Sequence, residues 1–144
     1  MIHVGISVIN MDESMVWYAN LGYEPTFDVV RNEPFLGEIV GLPGAEARIV
    51  YMTCEGRPTI ELLEYRNQSR PVWRESGATL PGRGHLCLDR RATDFIGPEY
   101  RIGAAVIPDG RNQGSICAYY QDPNGFVVEM MTDAKDRDLA AERG

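Results

Sequence analysis

Residues 118–132 read AYYQDPNGFVVEMMT, and this stretch predicts a β-hairpin. Its two β-prone halves flank the turn sequence DPNG, in which proline presets φ and Asn-Gly tolerates positive φ. One carboxylate, Glu129, interrupts the apolar second half. A buried carboxylate without a partner is costly, so Glu129 needs a partner if it is buried, and a metal ion is one candidate. The alternative is a solvated position on an edge strand, because side chains alternate between the two faces.

Length and composition restrict the class of protein. The 144 residues are enough for one domain with a hydrophobic core. We expect neither a signal segment nor a membrane span, since no run of about 18 apolar residues occurs. The net charge of −7 argues against a general surface for nucleic acid or anionic membrane. The odd set of Cys54, Cys87 and Cys117 lacks metal-ligand spacing and indicates small core residues in a reducing, cytoplasmic compartment.

The first half of the chain predicts the order β-α-β-β-β. Alternation over residues 2–9 predicts a strand with His3 on its more polar side. Asn10 is the predicted N-cap of a helix that ends at Gly22. Further strands are predicted over residues 23–31, 47–53 and 59–65. Residues 32–44 are rich in proline and glycine and are predicted to form a loop.

The same plan restarts after a non-periodic stretch. Strands are predicted over residues 85–89, 101–107, 115–120 and 126–131, with one or two helical turns over residues 91–96. The resulting organisation is one domain over residues 1–144. It comprises a first module over residues 1–66, a linker over 67–83, a second module over 84–132 and a tail over 133–144.

The two halves share a pattern of potential metal ligands. Each opens with a strand that carries a histidine and closes with a strand that carries an embedded glutamate. These residues are His3 and Glu61 in the first half, and His85 and Glu129 in the second. Imidazole and carboxylate together suit one divalent ion such as Zn, Ni, Co, Fe or Mn. Four protein ligands in an octahedral shell would leave two positions for water or substrate oxygens.

Five stretches together resemble the vicinal oxygen chelate superfamily, which includes glyoxalase I, methylmalonyl-CoA epimerase and extradiol dioxygenases. They are IHVGISVINMDESMVWYANLGYE, IVGLPGAEARIVYM, TIELLEY, GRGHLCL and YYQDPNGFVVEMM. The resemblance implies an α+β fold of two βαβββ modules whose mixed sheets form a cup around one metal ion. In this chain the second module is shortened, and the linker lacks a family motif.

The resemblance also implies the site. Its metal-ligand positions correspond to His3, Glu61, His85 and Glu129, and either Glu129 or Glu61 is the implied catalytic base. Glu64 is the rival of Glu61 in the same strand. A shift of three residues along a strand reverses the face, so we expect Glu64 to point away from the site.

The function implied is a divalent-metal-dependent isomerase, epimerase or lyase that acts on a small carbonyl substrate through a metal-stabilised enolate. One alternative is an Fe(II) extradiol-type dioxygenase, against which the absence of a third histidine counts. The other is a metal-free binding or resistance protein, which would have no need of all four ligands. The resemblance further implies a homodimer.

Overall fold

The computed structural model describes residues 2–67, 77–79 and 81–132. The chain divides into two compact units, Met1–Trp73 and Arg74–Gly144, and each contains one four-stranded mixed sheet. The predicted tail and most of the predicted linker lie outside the described residues. Among the described residues, no helix is long and apolar enough to cross a membrane.

Unit 1 has the predicted strand–helix–strand order with one addition. Its elements are β1 (His3–Ser7), α1 (Met11–Ala19), β2 (Glu24–Arg31), α2 (Pro34–Val40), β3 (Ala47–Thr53) and β4 (Thr59–Tyr65). The strand order is β1-β4-β3-β2. β1 runs parallel to β4, whereas β3 is antiparallel to both β4 and β2. The first and last strands of the module are therefore side by side.

Helix α1 covers one face of this sheet and is capped from two directions. The side chain of Asn10 accepts a hydrogen bond from the Glu13 N–H at 2.9 Å, as its predicted N-cap role requires. The Glu64 Oε2 accepts another from the Met11 N–H at 2.6 Å. The buried residues of the covered face and the helix include Ile6, Val50, Met52, Ile60, Leu62, Trp17 and Tyr18. This core fixes which face of the sheet remains uncovered by α1.

The prediction of a loop over residues 32–44 is wrong for Pro34–Val40, which form α2. Proline stands in the first turn, where its missing N–H costs nothing, and Gly41 follows the helix with a left-handed φ of 71°. Pro34 and Gly41 mark the two ends of a short helix, although the many prolines and glycines of residues 32–44 suggested a loop. Leu36 of this helix is buried with Ala45 and Ala47. Helix α2 therefore packs on the opposite face of the sheet from α1.

Unit 2 repeats the sheet of unit 1. Its strands are β5 (His85–Asp89), β6 (Arg101–Val106), β7 (Ile116–Gln121) and β8 (Val127–Thr132). They have the order β5-β8-β7-β6, with β5 parallel to β8. In the predicted hairpin turn, the Asp122 carboxylate accepts hydrogen bonds from the Asn124 and Phe126 N–H groups at 2.8 and 2.9 Å. Gly125 has a φ of 84°, which glycine adopts without strain.

The prediction of helical turns over residues 91–96 is wrong. The Asp94 carboxylate accepts the Arg91 N–H at 2.7 Å, and the Asp94 N–H donates to the Arg91 carbonyl at 3.0 Å. This local turn competes with helix formation, and a short 3-10 helix at Pro98–Tyr100 leads into β6. No α-helix occurs among the described residues of unit 2. The α+β class with two mixed sheets and a shortened second module is confirmed.

Replacement of Glu64 by alanine should destabilise unit 1. The Met11 N–H would lose its carboxylate acceptor at the start of α1, and we expect a decrease of about 1 kcal/mol in the free energy of unfolding. Urea denaturation followed by circular dichroism measures it. Glu64→Gln, which retains an acceptor oxygen, should lose less. Glu38→Ala, at an exposed position of α2, is the matched control, and an equal loss in both alanine variants would contradict the capping role.

Candidate metal centre

His3 and Glu61 come together because β1 and β4 are parallel neighbours. In their register Gly5 lies beside Glu61, and His3 is two residues from Gly5, so its side chain is on the same face. The His3 Nε2 lies 3.0 Å from the Glu61 Oε2. The histidine side chain is 34% exposed and the glutamate side chain 17%. This pair is therefore accessible from solvent at its imidazole and largely buried at its carboxylate.

His85 and Glu129 form the corresponding pair in unit 2. Here Cys87 lies beside Glu129 in the parallel register of β5 and β8, and His85 again precedes that position by two residues. The His85 Nε2 lies 2.8 Å from the Glu129 Oε2. The embedded glutamate that was conspicuous in the sequence thus has a histidine partner, and the same construction occurs once in each unit.

Glu61 has a second partner in Tyr51 of β3. The two residues are direct cross-strand neighbours, so the tyrosine hydroxyl lies near the carboxylate. Burial, and next the negative charge of Glu61, raise the pKa of the Tyr51 hydroxyl, so this hydroxyl retains the proton that it could donate to the carboxylate. The Tyr51 ring also meets the His3 imidazole edge-on, with centroids 5.7 Å apart. Tyr51 therefore contacts both members of the pair.

In unit 2 the second partner of the carboxylate is a thiol. The Cys117 Sγ donates to the Glu129 Oε1 at 3.0 Å. Burial, followed by this hydrogen bond, raises the pKa of Cys117 to about 12. Burial and the charge of Glu129 also raise the pKa of Cys87. Both thiols therefore stay protonated beside the carboxylate.

The cysteine interpretation from the sequence was wrong in placing these residues in the core. Cys87 is exposed, and Cys54 and Cys117 are half-buried. Sequence reasoning also missed Tyr51, although a signal was present. Tyr51 precedes Glu61 by as many residues as Tyr119 precedes Glu129, and Tyr119 is the cross-strand neighbour of Glu129. Alignment of the two halves on their glutamates would have found it.

Glu64 lies on the other face of β4, as strand alternation predicts. It caps α1 through Met11, and its Oε1 lies 3.5 Å from the Arg66 Nε. Within residues 2–67, 77–79 and 81–132, no group of three or more His, Cys, Asp or Glu side chains is arranged to hold a metal ion. The recurring element of the two units is the His–Glu pair.

The donor chemistry of each pair fits a divalent ion. Two ligand atoms that each lie about 2.1 Å from one ion, at a right angle, are about 3.0 Å apart. The Nε2–Oε2 distances of 3.0 and 2.8 Å match this spacing. A hydrogen bond between imidazole and carboxylate has the same length, so the pair is stable without an ion as well. The Cys117 thiol donates to Glu129 and the Tyr51 hydroxyl lies near Glu61, and such neighbours are typical of residues that orient a metal ligand.

No protein-family model and no curated protein matches the sequence. Solved structures do match. A glyoxalase family protein from Bacillus cereus is 16% identical, with a TM-score of 0.71 and 92% of each chain covered. A lactoylglutathione lyase from Agrobacterium tumefaciens is 17% identical, with a TM-score of 0.52 and 94% of each chain covered.

The fosfomycin resistance protein FosX from Listeria monocytogenes is also similar. A variant of it complexed with Mn(II) and 1S,2S-dihydroxypropylphosphonic acid is 10% identical, with a TM-score of 0.53 and coverage of 99% of this chain and 96% of that one. At such identities the similarity concerns the fold. The resemblance noted in the sequence is confirmed at this level, and the chain has the fold of the vicinal oxygen chelate superfamily.

Proposed function

We propose that the protein is a divalent-metal-dependent isomerase, epimerase or lyase that acts on a small carbonyl substrate through an enolate. The observation that carries the proposal is the duplicated His–Glu pair, at equivalent strand positions of the two units. The lactoylglutathione lyase and the FosX complex with Mn(II), which share the fold, support an enzyme of this metal-dependent kind.

The proposed ligands are His3, Glu61, His85 and Glu129, which would hold one divalent ion among Zn, Ni, Co, Fe and Mn. Each histidine would bind through Nε2, the nitrogen that faces its glutamate. The Tyr51 hydroxyl and the Cys117 thiol would orient the two carboxylates. We further propose that the protein is a homodimer.

The bound ion would act as a Lewis acid that stabilises negative charge on the oxygen of an enolate. The chain itself must supply a base within about 3 Å of the proton next to the carbonyl. Both histidines would stay as ligands, so the bases available in the pairs are Glu129 and Glu61, either of which would have to loosen from the ion before it accepts the proton. We assign the proton transfer to Glu129, because its Cys117 thiol partner is a weaker donor than the Tyr51 hydroxyl and holds the carboxylate less firmly.

Removal of a ligand should abolish tight metal binding. Elemental analysis of untagged protein should show about one divalent ion per chain, and competition with a chromogenic chelator gives its affinity. We expect His3→Ala and Glu61→Ala to lower the affinity by more than about 100-fold, since each removes a donor atom. Glu64→Gln, in the same strand but on the opposite face, should retain it.

A folded protein that takes up no ion when dialysed against Zn, Ni, Co and Mn would overturn the metal centre. If Glu64→Gln loses metal affinity and Glu61→Ala does not, the ligand is Glu64, on the opposite face of β4 from the one proposed. Mixing His3→Ala chains with Glu129→Ala chains then distinguishes the source of the ligands. Partial recovery of tight binding in the mixture means that two chains share each site.

The two orienting donors should tune metal affinity without being ligands. We expect Tyr51→Phe and Cys117→Ala to weaken binding by about 10- to 100-fold, because each leaves its carboxylate freer to rotate. The same chelator competition measures this. Cys54→Ala is the control thiol, since the Cys54 Sγ contacts the Leu21 carbonyl oxygen at 3.9 Å. Unchanged affinity in both test variants would show that the hydrogen bonds have no positioning role.

An enolate route should exchange a hydrogen next to the substrate carbonyl with solvent. Carbonyl compounds incubated with the metal-loaded protein in deuterium oxide can be screened by proton NMR for loss of that signal. Glu129→Gln should slow the exchange by about 100-fold or more, even where the ion is still bound, because the amide cannot accept the proton. Oxygen consumption during turnover, without any such exchange, would replace this reaction by the dioxygenase alternative.

A further inference from the structure

A strip of apolar side chains adjoins the His3–Glu61 pair on the same face of the unit 1 sheet. The antiparallel registers place Phe27 beside Tyr51 and Val29 beside Ile49, and they place Leu63 beside Ile49. We define the apolar floor as Phe27, Val29, Ile49 and Leu63. Tyr51 is also the cross-strand neighbour of Glu61, so the apolar floor begins at the candidate metal centre.

Two contacts make the apolar floor continuous with the pair. The Tyr51 ring lies with its centroid 5.7 Å from that of His3 and 5.7 Å from that of Phe27. A Cβ atom built on Gly5 would lie 3.7 Å from both the Glu61 Oε2 and the Leu63 Cδ1. Because glycine has no side chain, room for about one carbon atom is left beside this carboxylate and Leu63, where a larger side chain would fill it.

Helix α2 packs at one end of the apolar floor, where its buried Leu36 belongs to the cluster against which Ile49 packs. At the β2 end, Phe27 is 45% exposed. On the other face of the same strands, Val50, Met52 and Leu62 are fully buried under α1. Placing an apolar group against this exposed ring would remove apolar surface from water, which lowers the free energy of the complex.

The charges nearby do not favour an anionic substituent. All four residues of the apolar floor are uncharged, and Arg31, further along β2, has its guanidinium 3.2 Å from the Glu33 carboxylate. A phosphonate or carboxylate placed on the apolar floor would lose hydration without gaining a cation among these residues. An uncharged occupant matches the surface better.

We infer that the substrate carries an apolar alkyl or aryl group next to its carbonyl, and that the apolar floor binds this group. The inference rests on the proposed function, because it concerns the substrate of that same site. The substrate carbonyl would face the His3–Glu61 pair, while its alkyl or aryl group extends over Leu63 and Ile49 towards Phe27. Such a substrate differs from the phosphonic acid present in the FosX complex.

Linear alkyl hydroxamates provide a probe, since their head group chelates divalent ions and their chains can be lengthened. Calorimetric titration of zinc-loaded protein with the series from acetohydroxamate to octanohydroxamate measures the effect of chain length. We expect affinity to rise about two- to fourfold per added methylene until the apolar floor is covered. The affinity of acetohydroxamate itself reports the ion alone.

Phe27→Ser and Val30→Ser form a matched pair of variants. Both side chains lie in β2 and are 45% exposed, but Val30 is on the opposite face. Phe27→Ser should lose most of the gain with chain length and keep acetohydroxamate binding, whereas Val30→Ser should resemble the wild type. Gly5→Val provides a second route. Its side chain would occupy the space between Glu61 and Leu63, and it should also remove the gain.

The other possible results distinguish a failure of this inference from a failure of the proposed function. Hydroxamate binding that does not depend on chain length overturns the apolar substrate and leaves the metal centre standing. Failure to take up any ion from Zn, Ni, Co or Mn overturns the proposed function and this inference with it. If chain length has no effect and Phe27→Ser turns a sedimenting dimer into a monomer, the apolar floor is an interface between two copies of the chain instead.

Discussion

Parallel pairing of the first and last strands within each unit is the constraint on which the candidate site depends. It places His3 beside the strand of Glu61 in unit 1, and His85 beside the strand of Glu129 in unit 2. Neither pair is close in sequence. Because side chains alternate along a strand, the same pairing sends Ile6 and Leu62 to the buried face and leaves the histidine and glutamate on the other. Core formation and site formation are thus two results of one register.

The two units surround their embedded carboxylates with different side chains. Each embeds a carboxylate among apolar strand residues and offsets its desolvation with a histidine and one further donor. In unit 1 the Tyr51 hydroxyl is the group placed to be that donor, and in unit 2 the Cys117 thiol donates at 3.0 Å. The covering elements differ too, since α1 packs on the unit 1 sheet and a short turn around Asp94 occupies the corresponding part of unit 2. The pair geometry is retained while its surroundings vary.

Local patterns predicted the strands well and the short connections poorly. β3, β4 and β5 have the bounds that alternation and turn residues indicated. Helix α2 was missed because Pro34 and Gly41 occupy the ends of a helix as readily as they occupy a loop, and its stability comes from Leu36 packing on the sheet. The expected helical turns after β5 fail because the Asp94 side chain takes the Arg91 N–H. In both cases a contact outside the local hydrophobic pattern decided the outcome.

By itself the sequence determined the order of the strands along the chain and the face of its strand on which each embedded glutamate lies. It also identified the four potential ligands, His3, Glu61, His85 and Glu129. These follow from a period of two and from residue chemistry, both of which are local. Only the tertiary structure decided that each histidine contacts its own glutamate, that Tyr51 lies beside Glu61 while Cys117 donates to Glu129, and that Glu64 caps α1. Such contacts join residues from different strands or a strand and a helix, and their distances depend on register and packing that no single segment encodes.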